Sequence, residues 1–206
     1  MRVGFFVQNA GPHWDMARHL VESVNRVMPG VEVFQLTDGD CPEVDGAKAM
    51  RLPGKMPMGV RRIRHYSQLD GDWVFVDTDV VFLKDVRPVF NDPFDVALAT
   101  RKGSFLEGSQ YEKDFPYNFG VVFSRSTAFW VKALGGMAML PPDMQEWEGE
   151  QWLTGKLANS GRYKVKILPR EFNYTPEKVG EDLGAVSVLH LKGPRKKWIT
   201  QIIGGL

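Results

Sequence analysis

In DGDWVFVDTDVVFL (Asp70–Leu83), two apolar runs, Trp73–Val76 and Val80–Leu83, flank two acids, Asp77 and Asp79, with Thr78 between them. Four successive apolar residues bounded by turn signals read as a strand covered on both faces, as in parallel sheets. Burying carboxylates beside that much apolar surface is costly without a partner. Asp77 falls where the strand ends, and open α/β sheets bind ligands outside the carboxyl ends of their strands. Residues i and i+2 of an extended segment project to one side, about 7 Å apart, so both carboxylates can approach one ion. Oxygen ligands suit Mg²⁺ or Mn²⁺, and Mg²⁺ usually takes one or two carboxylates plus substrate phosphates. The expected partner is therefore a divalent cation carrying a phosphorylated substrate. Asp-X-Asp also occurs as a solvated turn; the flanking apolar runs favour the metal reading.

Outward from this segment the chain alternates strands and helices. Val3–Val7 is a short apolar strand, "QNAGP" a turn, and Met16, Ala17, Leu20, Val21, Val24 and Val27 recur at helical spacing up to Pro29-Gly30. "VEVFQL" follows as a second strand, which completes a parallel crossover unit. Residues 38–57 read as a loop and 61–69 as a basic helix. "VVFL" reads as a short extension of the central strand. "FDVALAT", "NFGVVFS", "YKVKILP" and "VSVLHL" read as further strands, and residues 126–134 and 143–158 as helices. The pattern predicts an α/β fold with a mostly parallel central sheet flanked by helices, as one domain over residues 1–206. The irregular stretch Lys102–Pro116 is expected to act as a lid.

A second signal lies in "HLKGPRKKW", His190–Trp198. His190 follows the apolar "VSVL", so it too is expected at a strand end on the same sheet edge as the acids. An imidazole moves the metal preference toward Mn²⁺. Gly193 permits close backbone approach to a phosphate, and Lys192, Arg195, Lys196 and Lys197 supply charge for a diphosphate. Elsewhere the charge is balanced, with 26 basic and 25 acidic residues. That gives no global reason to expect nucleic-acid or membrane binding. Cys41 is the only cysteine, which excludes an internal disulfide, and no apolar run reaches the roughly 18 residues of a membrane span. The expected location is the cytoplasm.

"FVDTDVVF" and the later H-x-x-G-x-x-K-x-W pattern resemble the GT-A glycosyltransferases of the glycogenin and bacterial lipopolysaccharide galactosyltransferase type. Between them, "YNFGVVFSRS" resembles that family's Asn-x-Gly strand, "EGEQWL" its Asp-Gln helix start, and "FNY" its late Asn segment. All five occur in the family's order.

The resemblance implies a Rossmann-like nucleotide-diphospho-sugar transferase fold and a Mn²⁺- (or Mg²⁺-) dependent hexosyl transfer with retained configuration. The implied donor is UDP-glucose or UDP-galactose. Asp77, Asp79 and His190 would bind the metal, and Gly193 and Lys196 the diphosphate. Gln8, Asn9 and Trp14 would lie near the nucleobase, with Arg61 or Arg62 and Thr78 at the donor. Asn118, Gly120, Glu150 and Gln151 would line the sugar and acceptor side. If the reaction inverts instead, Asp114 and Glu150 are the candidate general bases. The sequence departs from the family at Lys197, which replaces a proline, and at Glu150, which replaces an aspartate. The acceptor, whether glycan, protein or another hydroxyl, has no sequence signal. Two alternatives stay open: a nucleotidyltransferase or nucleotide-sugar hydrolase on the same fold, or a non-catalytic nucleotide-sugar-binding domain.

Overall fold

The computed structural model of the chain describes residues 1–8, 14–101 and 108–203, and side chains for all of these but 14, 15, 111 and 203. Strand β1 (Arg2–Val7), helix α1 (Trp14–Val27) and strand β2 (Glu32–Thr37) form the expected crossover, with β1 and β2 parallel. Next come β3 (Lys48–Arg51), α2 (Met58–Tyr66), β4 (Trp73–Val76) and β5 (Val80–Phe82). They are followed by β6 (Val96–Thr100), α3 (Gln110–Asp114), β7 (Tyr117–Ser124) and α4 (Thr127–Met137). The order ends with α5 (Trp147–Ala158), β8 (Val165–Leu168), β9 (Val188–His190) and α6 (Ile199–Ile203). Ser126 caps α4 by accepting a hydrogen bond from the Phe129 amide at 3.2 Å. Among the described residues no helix is long and apolar enough to cross a membrane.

The main sheet has the order β3-β2-β1-β4-β7-β6-β8. The chain builds outward from β1 on one side, then returns to place β4 on its other side. The ends of β1 and β4 therefore frame a switch point, where α/β sheets bind ligands. Most pairings are parallel, but β7 runs antiparallel to both β4 and β6. Strand β3 lies in the stretch expected to be a loop. It is a short edge strand held by backbone pairing to β2, with half-exposed side chains and so no apolar pattern to reveal it. Strand β5 does not extend β4. It pairs antiparallel with β9 in a separate two-stranded sheet.

Side chains alternate between two cores. Val3, Phe5, Val74, Val76 and Phe123 pack under α1 and β5, whereas Phe6, Trp73, Phe75 and Val122 pack under α2 and α4. Period-two alternation along β1 and β4 sends successive residues to opposite faces. In β7 the alternation breaks. Leu98 and Ala99 of β6 face Val122 and Asn118, so Phe119, Gly120 and Val121 fall out of register with β6. This bulge sits beside the end of β4, and bulges of this kind re-aim side chains next to active sites.

Candidate active site

The β5–β9 pairing brings the acids to the histidine. Val80 is in register with His190, and the Leu191 amide donates to the Asp79 carbonyl at 2.8 Å. On the other side, the Asp77 amide donates to the Gly120 carbonyl at 3.0 Å. His190 Nε2 then lies 3.1 Å from Asp79 Oδ1 and 3.5 Å from Asp77 Oδ2. The three expected metal residues do converge, with ligand atoms all within 4.8 Å of one another. Their strands end on two different sheets, however, and not on one sheet edge.

The surrounding hydrogen bonds orient the imidazole. Asn173 Nδ2 donates to the Asn118 carbonyl at 2.7 Å, which turns Asn173 Oδ1 toward His190 Nδ1 at 2.8 Å. His190 Nδ1–H must donate to that oxygen, so in the neutral ring Nε2 presents its lone pair to two carboxylates. One nitrogen and two carboxylates facing a common point suit a cation between them, a proton on Nε2 or a metal ion. A histidine fixed through its far nitrogen is also the usual support of a metal ligand. The residues present therefore fit a divalent cation. Burial alone would raise the Asp79 carboxyl, but His190 and Lys196 hold it well below the usual carboxylate range. Lys196 Nζ lies 3.2 Å from Asp79 Oδ2. Gly120 makes room for the ring: a Cβ there would sit 1.9 Å from His190 Cε1.

A second layer joins α2 and α5 to the acids. Arg62 reaches Asp77 Oδ1 at 3.2 Å and Glu150 Oε2 at 3.5 Å. Burial pushes the Glu150 carboxyl up to about 7, with Arg62 pulling it down and Asp77 adding to the rise. Burial would lower Arg62, but Glu150 and Asp77 hold it above its ordinary value. Lys192 Nζ donates to Asn118 Oδ1 at 2.7 Å, and burial together with Arg101 pushes its pKa down to about 7. Among the described residues, six buried side-chain polar atoms lack a hydrogen-bond partner. Five belong to Gln8, Arg61, Arg62, Glu150 and Gln151, all residues singled out from the sequence. Such atoms are scarce in folded proteins; Gln8 and Arg62 line the pocket beside the acids, and Arg62 Nε and Glu150 Oε2 face each other at 3.5 Å.

A family model described as nucleotide-diphospho-sugar transferase matches residues 29–188, which contain both acids, Asn118, Glu150, Gln151 and Asn173. The chain belongs to the nucleotide-diphospho-sugar transferase family. Among solved structures, the galactosyltransferase LgtC, in complex with donor and acceptor sugar analogues, aligns with a TM-score of 0.62 at 13% identity. That alignment covers 100% of this chain and 96% of LgtC. The glycosyltransferase GlyE of Streptococcus pneumoniae gives 0.68 at 15% identity over 96% of this chain, and the bifunctional glycosyltransferase WbbM gives 0.67 at 13% over 96%. The transferase spans 55% of GlyE and 46% of WbbM. At these identities the likeness is one of fold, and the fold is GT-A. A search of curated proteins finds no match.

A pocket of about 530 Å³ at this place is lined by Gln8, Thr78, Gly193 and Lys196 together with Arg62, the acids, His190 and Lys192. Arg61 turns away. It donates to the Gly54 carbonyl and faces Asp38 at 3.7 Å, beside a smaller pocket that shares Gln8. Gln151 Oε1 accepts from Arg101 at 3.0 Å. Asp114 is exposed on α3, accepts from Gln110 at 3.1 Å, and is not in the pocket wall. Asn9, the Trp14 side chain and residues 102–107 of the expected lid lie outside the described residues. Sequence reasoning assigned no role to Asn173, Arg101 or Trp147. Asn173 stood inside the "FNY" segment and Trp147 three residues before Glu150, whereas Arg101 carried no local signal.

Proposed function

We propose that this glycosyltransferase moves a hexose from UDP-glucose or UDP-galactose to an acceptor hydroxyl with retention. Asp77, Asp79 and His190 would hold Mn²⁺ or Mg²⁺, and residues 1–206 would form one catalytic domain. The observation that carries the reading is the convergence of three lone-pair donors, with Nε2 of His190 turned inward by Asn173, at the floor of the switch-point pocket.

A divalent cation held there supplies charge neutralisation for the departing diphosphate. Lys196 and the backbone at Gly193 would bind the diphosphate from the opposite wall. Gln8, at the end of β1, lies on the nucleobase side, where its buried Oε1 lacks a partner. Arg62 holds Asp77 and Glu150 apart while bridging both. Glu150, near neutrality, and Gln151, braced by Arg101, bound the sugar side. Asn118 positions Lys192 and, through Asn173, His190. These fixed dipoles and charges are in place before the substrate arrives, which is how electrostatic stabilisation avoids reorganisation cost.

The test is thermal shift with UDP-glucose, UDP-galactose and a GDP-sugar, with and without Mn²⁺, followed by mass spectrometry of products. Mn²⁺-dependent stabilisation by UDP-sugars and a sugar-bearing product are expected. Tighter GDP-sugar binding, or transfer of the nucleotide in place of the sugar, would overturn the reading.

A further inference from the structure

We propose that Trp147 is the platform on which an acceptor sugar ring lies, so that the acceptor is a saccharide hydroxyl; this rests on the transfer reading above. Trp147 opens α5 three residues before Glu150, and that spacing puts both side chains on one helix face. Glu150 is 2% exposed, whereas Trp147 is 37% exposed and lines the pocket at the acids, as does Met58. The indole belongs to none of the apolar clusters formed by the described residues. A large ring thus stands partly exposed in the wall of a pocket.

Its backbone is nevertheless held tightly. A Cβ on Gly149 would sit 1.6 Å from the Met144 carbonyl oxygen, and one on Gly59 would sit 2.7 Å from that of Glu146. Only glycine permits these two close approaches: the first packs α5 onto the turn that precedes it, and the second seats residues 145 and 146 on the first turn of α2. Glu146 completes the seating by accepting from the Met58 amide at 3.0 Å. A partly exposed aromatic on a rigid mount is preorganised for a ligand and loses little freedom when it binds one. The ligand chemistry follows from the ring. One face of a pyranose is a patch of C–H bonds with partial positive charge, which matches the negative face of an indole, while its hydroxyl rim stays free for polar groups. A ring lying on Trp147 would keep its hydroxyl rim in the pocket that Arg62 and Asp77 also line, with Glu150 behind Arg62. The nucleobase has a different place, beyond Gln8, where Asp38, Pro53 and Arg61 line the second pocket.

The test is saturation-transfer NMR of methyl glucosides, methyl galactosides, lactose and maltose with the full chain in UDP and Mn²⁺, alongside calorimetry with UDP. Trp147→Ala should weaken glycoside binding about tenfold and Trp147→Phe about threefold or less, while the UDP Kd moves less than about twofold. The proposal is overturned if no glycoside binds the UDP-loaded protein, if Trp147→Ala binds it like wild type, or if UDP affinity falls in parallel. The last result would make the indole a base platform. Failure of wild type to bind UDP would overturn the transfer reading as well; the other outcomes overturn this inference alone.

Discussion

Gly120→Ala is expected to disable the histidine side of the site while leaving the rest of the sheet intact. The added Cβ would lie 1.9 Å from His190 Cε1, 2.4 Å from Nδ1 and 2.9 Å from Asp77 Oδ2. Non-bonded carbons rest about 3.5–4.0 Å apart, so the ring must retreat by roughly 1.5–2 Å. His190 is 2% exposed and is held on both ring nitrogens, so it can retreat only by giving up those contacts. Retreat breaks the 2.8 Å bond to Asn173 and the 3.1 Å contact with Asp79. An unsatisfied buried partner costs about 1–3 kcal/mol, and overpacking costs about 1–3 kcal/mol more. A net loss of about 3 kcal/mol corresponds to a Tm drop of roughly 6–12 °C for a chain of this size. Gly155→Ala in α5 is the control: nothing lies within 4 Å of the place its methyl group would take, and helix propensity predicts a gain of about 0.5–1 kcal/mol. Urea denaturation measures both, and thermal shift with Mn²⁺ and UDP measures the site. A Gly120→Ala protein within about 1 kcal/mol of wild type, still stabilised by Mn²⁺ and UDP, would refute the reasoning.

Asp79→Ala should abolish Mn²⁺-dependent stabilisation by UDP in the same assay, and an undiminished shift would remove Asp79 from the metal set. Glu150 has its carboxyl raised from 4.5 to about 7 by burial, so folding favours its protonated form. That contribution is full below pH 4.5 and is lost as pH rises through about 7, to the extent of about 3 kcal/mol. Glu150→Gln should flatten the urea-measured stability profile across that window, and an unchanged slope would contradict a neutral Glu150. Lys196→Ala should weaken UDP much more than uridine in calorimetry, since only UDP carries the phosphates; equal losses would remove the diphosphate role.

The strands β1, β4 and β7 were legible in the sequence because each contains a short apolar run, and such runs mark strands buried on both faces. The acid pair was legible for a related reason: charge set against apolar surface is a local anomaly. The order of the short motifs carried the family. Strand β3 was not legible, since its stability comes from backbone pairing to β2 and its half-exposed side chains form no pattern. Nor was the antiparallel placement of β7, or the pairing of β9 with β5 away from the main sheet. The adjacent arginines show the limit at the site. Arg61 and Arg62 have the same chemistry, and roughly 100° of helix rotation sends one to Asp38 and the other to Asp77 and Glu150. The inward turn of His190 depends on Asn173, 17 residues away, and the room for its ring on Gly120, 70 residues away. Periodicity and charge anomalies are properties of neighbours along the chain, so sequence alone yields the elements and the candidate ligands. Which distant groups share a proton, a void or a register is set by how the elements pack, and that is decided only when the whole chain is folded.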